Sequence, residues 1–81
     1  MPTIHREEGF RFVIYVDDHE PAHVHVLYAG AMARIMIGDT NHRPVVTDPG
    51  SMRARDVRKA VRIVEVHQKR FLGAWREIHG T

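Results

Sequence analysis

No cysteine occurs among the 81 residues. Its absence excludes a disulfide framework and a thiolate zinc site, and it fits a reducing compartment. No apolar run approaches the roughly 20 residues that span a bilayer. The first eight residues contain Glu7 and Glu8 and no apolar core, so they do not read as a signal peptide. The expected setting is the cytoplasm, with no membrane partner. Internal repeats, linkers and low-complexity tracts are also missing, so residues 1–81 read as a single domain. A domain of this size buries only about 60–65% of its unfolded surface, which leaves a thin stability margin.

The charge that is present is unevenly placed. Residues 1–50 hold four arginines against seven acids, a net of −3, whereas residues 51–81 hold eight basic residues against three acids, a net of +5. A basic half of this kind suits RNA or DNA, and Arg55, Arg58, Lys59, Arg62 and Lys69 are the candidate contacts. The plainer reading of the same charges is a solvated helix face.

Hydrophobic alternation marks strands over Phe10–Val16, His23–Tyr28 and Ala31–Ile37, the last two joined by a tight turn at Ala29-Gly30. One face of this meander collects Phe12, Ile14, Val24, Val26, Ile35 and Ile37 as the expected core. The other carries Arg11, His23, His25 and Arg34. Val45-Val46, after Pro44, suits a short edge strand. From Met52 to about Ile78 the period changes to 3.6, with Val57, Ala60, Val61, Val64, Gln68, Phe71 and Trp75 on one stripe. Ser51 is the expected cap of that helix, and Gly73 the expected place for a bend or split. The expected fold is α+β: an antiparallel meander of three to four strands, covered on one face by a long C-terminal helix.

Between the first two strands lies Asp17-Asp18-His19-Glu20-Pro21-Ala22-His23-Val24-His25-Val26, which holds three of the seven histidines. Histidines at i and i+2 of a strand point the same way, so His23 and His25 can share one ion. His19 folding back from the turn, and Asp18 as a carboxylate, would complete a set suited to a divalent transition metal such as zinc, iron, nickel or manganese. Without a metal, His23 or His25 can act as a general base, with Arg11 or Arg34 facing a phosphorane. A turn that only satisfies its own backbone donors explains the same residues without chemistry. His67 reads as a packed histidine on the helix, and His5, His42 and His79 as isolated.

These residues resemble a known family. Met1-Pro2-Thr3-Ile4, the Asp17-Asp18-His19-x-Pro21-x-His23-x-His25-Val26 core, Tyr28-x-Gly30, and a helix with His67 and Trp75 are similar to DUF4160, a family of small bacterial and archaeal proteins. Ala22 stands where the usual pattern has a second proline, and Val24 where an aromatic is common. The resemblance implies a gene beside that of a DUF2442-like protein, and hence a toxin–antitoxin-type component that binds this partner and RNA or DNA. The expected function is therefore a small cytoplasmic interaction protein, with pairing of two copies through an edge strand also open. The alternative is a metal-dependent or histidine-based nuclease with His23 and His25 as catalytic residues and His19, His23, His25 and Asp18 as metal ligands.

Overall fold

The computed structural model describes residues 2–80. Five strands form one antiparallel sheet in chain order: β1 (Thr3–Glu7), β2 (Phe10–Val13), β3 (His23–Tyr28), β4 (Ala31–Met36) and β5 (Val45–Asp48). Two helices follow, α1 (Ala54–Val66) and α2 (Gln68–His79). The α+β class and the antiparallel meander agree with the sequence pattern. The number of strands and the single long helix do not.

The additional strand is β1. It contains one aliphatic residue, Ile4, and a bulge between Thr3 and His5 disturbs its alternation. It is held instead by its ladder with β2 and by a two-residue turn, Glu8-Gly9, with φ of 51° and 86°. Positive φ at both turn residues matches the twist of the flanking strands. Ala29-Gly30, with φ of 50° and 81°, makes the same kind of turn between β3 and β4. Strand β2 is shorter than the alternation suggests, and Val16 is 66% exposed. The backbone leaves the ladder because the Asp18 carboxylate captures the N–H of Tyr15.

All six residues of the expected core face are fully buried. Phe10 and Ala33 join them from the sheet, and Val57, Ala60, Val64, Phe71 and Trp75 cover them from the helices. Burying each such large side chain contributes about 1.5–3 kcal/mol.

The helical stripe is interrupted at His67 (φ −105°, ψ 19°) and not at Gly73, which lies inside α2. The side chain of Gln68 explains the position. Its Nε2 donates to the carbonyls of Ile37 and His42, both at 3.0 Å, and so ties the break to the chain leaving β4. Ser51 does not cap α1. Met52 is drawn into the core and its N–H closes a turn onto Pro49 O, so the helix starts later, with Arg53 as a cap that makes no side-chain bond. Among the described residues no helix is long and apolar enough to cross a membrane.

Candidate metal centre

Strand alternation puts Val24 and Val26 into the core and turns His23 and His25 away from it. Their rings meet edge to face, with centroids 5.2 Å apart. The chain after β2 folds back over them. Asp18 N–H donates to Tyr15 O at 3.1 Å, and Tyr15 N–H donates to Asp18 Oδ2 at 3.0 Å. This closed turn delivers the Asp18 carboxylate to both imidazoles. His25 Nε2 lies 3.3 Å from Asp18 Oδ2, and His23 Nε2 lies 3.5 Å from the same oxygen. One ligand atom from each of the three residues lies within 4.8 Å of the other two.

The far side of the His23 ring decides what its near side can do. His23 Nδ1 lies 2.9 Å from Pro21 O. A carbonyl can only accept, so Nδ1 carries the hydrogen, and the neutral ring presents a lone pair at Nε2. That lone pair faces a carboxylate oxygen, an arrangement that calls for a cation between them or a second proton on the ring. A charge-assisted hydrogen bond would draw the atoms to about 2.7–2.9 Å. Around a tetrahedral ion with bonds of about 2.0–2.1 Å, ligand atoms stand about 3.3–3.4 Å apart. The His23–Asp18 separation of 3.5 Å is longer than such a bond and close to the ligand–ligand distance, whereas His25 Nε2 keeps a long 3.3 Å hydrogen bond to Asp18. A ring nitrogen bonded to a backbone carbonyl is also the usual support of a metal-binding histidine.

Burial raises the pKa of Asp18, but the Tyr15 N–H, the hydrogen bond from His25 and the two nearby imidazoles outweigh it, so the carboxyl lies below its ordinary 3.8. The group is an anion at neutral pH. Tyr15 adds its ring edge against His25 at 4.7 Å, and Trp75 lies against His23 at 5.2 Å. Neither contact was readable from the sequence, because Tyr15 lies beyond the end of β2, where strand alternation no longer fixes its direction, and Trp75 comes from a distant helix.

His19 stands apart from this trio. It is exposed and lines an adjoining cleft of about 500 Å³ with Asp17, Glu20 and Arg34. Arg34 Nε donates to Thr47 Oγ1 at 3.1 Å. Of the basic candidates, Arg55, Arg58, Lys59 and Arg62 line one groove on α1 beside Tyr28, and Lys59 reaches Glu8 at 3.1 Å. Lys69 lies on α2, outside that groove.

A second trio is formed by His5, Glu7 and His67 on the helix side of the sheet. Glu7 Oε1 lies 2.8 Å from His5 Nε2 and 3.2 Å from His67 Nε2. Its carboxyl is held below the usual 4.5 by the His5 hydrogen bond, with burial opposing and His67 assisting. Arg70 donates to His5 Nδ1 and to Ile4 O. The i, i+2 spacing of His5 and Glu7 was the only sequence signal for this trio, and it lay in a segment with no strand pattern.

A family model described as "Domain of unknown function (DUF4160)" matches residues 9–76, a span that includes Asp18, His23, His25 and Trp75 and excludes β1. Comparison with curated proteins and with solved structures finds no match.

Proposed function

The chain belongs to the DUF4160 family, a premise that brings no reaction with it, and from the geometry we propose that Asp18, His23 and His25 bind a divalent transition metal that serves hydrolysis of a phosphodiester in RNA or DNA. The observation that carries this reading is the commitment of His23 Nδ1 to Pro21 O, which aims an Nε2 lone pair at an ionised carboxylate across a gap of ligand–ligand size. Three protein ligands beside an open cleft are the pattern of catalytic sites, where the remaining positions take water and substrate. A bound ion there would lower the pKa of its water and polarise a phosphoryl oxygen. The chain's own groups supply the rest. Arg34, in the cleft wall, has no partner for its terminal N–H groups among the described residues and would pair them with a phosphate oxygen, and His19, on the rim, would pass a proton to a leaving group.

The test begins with metal-stripped protein, zinc or manganese added back, and elemental analysis after gel filtration. One ion per chain is expected, together with cleavage of a labelled single-stranded RNA that chelator and His25→Ala both abolish. No stoichiometric ion removes the metal reading. An ion without cleavage leaves a metal-binding protein and removes the hydrolase.

A separate observation favours a second reading, a toxin–antitoxin-type interaction protein. β5 is an edge strand with Val45 54% exposed, and four cations share one groove on α1. A DUF2442-like protein would add to the edge, and nucleic acid would follow the groove. Capture of that protein in chelator by wild type and by the His23→Ala, His25→Ala double variant alike would favour this reading over the first.

A further inference from the structure

On the other side of Pro21 from the metal-side cleft is a second cleft of about 490 Å³. Its apolar walls come from Ala22, Met36, Val45, Leu72 and Trp75. The two clefts share Glu20, Pro21 and Met36 and so adjoin, close enough for neighbouring parts of one ligand to reach each. We propose that this second cleft is a nucleobase pocket, taking the base of the nucleotide whose phosphate lies against Asp18, His23 and His25. The assignment rests on the metal-centre reading above and names its substrate class.

Three features choose a base over other apolar groups. The walls offer the Met36 thioether and the Val45 and Leu72 side chains, which pack on the flat face of an aromatic ring, over a floor closed by the buried edge of Trp75. The rim offers both signs of hydrogen-bonding group: the Asp39 carboxylate accepts, and the Arg43 and Arg76 guanidiniums donate. Base edges carry both donors and acceptors, and an alkyl chain carries neither. The Asp39 carboxyl is kept below its usual pKa by the His42 hydrogen bond and the Asn41 N–H, so it accepts at neutral pH. Arg76 has no ion pair among the described residues, and Arg43 meets Glu65 only at 3.7 Å with its own side chain 91% exposed. Both are available to the phosphates that flank a base in a strand. A cavity of this volume is in the range of small-ligand sites, about 300–1,000 Å³.

Trp75 is the only tryptophan, lines this cleft and lies 5.2 Å from the His23 ring, so its fluorescence reports on both compartments. The full chain is titrated with adenosine 5′-monophosphate, adenosine, inorganic phosphate and octanoate, each in zinc and in chelator. Adenosine is expected to change the emission in either condition, and the monophosphate to bind at least about tenfold more tightly in zinc than in chelator. Leu72→Arg fills the cleft and is expected to weaken the monophosphate by about tenfold or more with zinc stoichiometry unchanged. Val45→Arg, at an exposed position, makes the same measurement should Leu72→Arg fail to fold. The proposal is overturned if phosphate alone matches the monophosphate, if octanoate binds and adenosine does not, or if a folded arginine variant keeps full nucleotide affinity. Zinc binding with no nucleoside response removes this inference and leaves the metal centre. A nucleoside response with no zinc binding keeps the pocket and removes the metal centre.

Discussion

His5, Glu7 and His67 lie on the helix side of the sheet, and Asp18, His23 and His25 lie on the other. Both trios hold two imidazoles and one carboxylate, and both take two residues from i, i+2 of a strand or its turn-linked neighbour. They differ in what the far nitrogen of one ring touches. Arg70 is a donor, so His5 Nδ1 must accept, and its hydrogen sits on Nε2, where it is given to Glu7. That trio is closed by ordinary hydrogen bonds. The Pro21 carbonyl is an acceptor, so His23 Nδ1 must donate, and its Nε2 faces Asp18 with a lone pair. On the reading proposed above, the same three groups make a structural clamp in one place and a ligand set in the other, and a neighbour outside each trio makes the choice.

The largest effect that can break this comparison is on metal affinity. His23→Ala or His25→Ala is expected to lower zinc affinity by about 100-fold or more, read by competition with a chromophoric chelator. His5→Ala and His67→Ala are expected to leave it within about twofold, because the proposed ligand set does not include those rings. Equal losses from both trios would dissolve the distinction.

Next in size is the stability that the ion confers. Zinc at 100 times its dissociation constant should stabilise the wild type by about 2.7 kcal/mol, measured by urea unfolding with and without the metal. The same gain is expected in His67→Ala and none in His25→Ala. A smaller effect probes the chooser itself. Arg70→Met removes the donor at His5 Nδ1 and lets that ring present its Nε2 lone pair. A second, weaker zinc equivalent is then expected in the competition assay. If none appears, Arg70 is not what keeps metal out of the helix-side trio.

Much of this contrast was beyond the sequence. The central strands and their core face were legible because Phe12, Ile14, Val24, Val26, Ile35 and Ile37 repeat at the sheet period. β1 was not, since one aliphatic residue and a bulge give no alternation to detect. The 3.6-residue stripe runs straight through His67 because Phe71 N–H still bonds to His67 O, so a single-residue interruption leaves the pattern intact. The one clue was Gln68, a polar residue on an apolar stripe, which proves to bridge two backbone carbonyls. At the ligand set, the common direction of His23 and His25 followed from strand spacing. The inward turn of Asp18 and the outward turn of His19 did not, because both depend on the Tyr15–Asp18 closure. The helix-side trio was invisible for a plainer reason: His67 and Glu7 are 60 residues apart.

The smallest expected effect is a pH signature of the clamp. The His5 hydrogen bond, assisted by His67, depresses the Glu7 carboxyl in the folded state below the 4.5 of an ordinary glutamate. A depressed carboxylate stabilises the fold fully above its unfolded pKa and loses that contribution as pH falls through its folded pKa. Glu7→Gln, which cannot ionise, should therefore be less stable than wild type near neutral pH. The gap between their urea midpoints should narrow as pH is lowered from about 5 to about 3. A gap that stays constant would mean that Glu7 acts through its shape and not its charge. Added zinc should raise both midpoints at neutral pH and leave the gap between them unchanged, because the proposed ion site is the other trio. A gap that closes on addition of zinc would place metal at Glu7 and reverse the roles assigned to the two clusters.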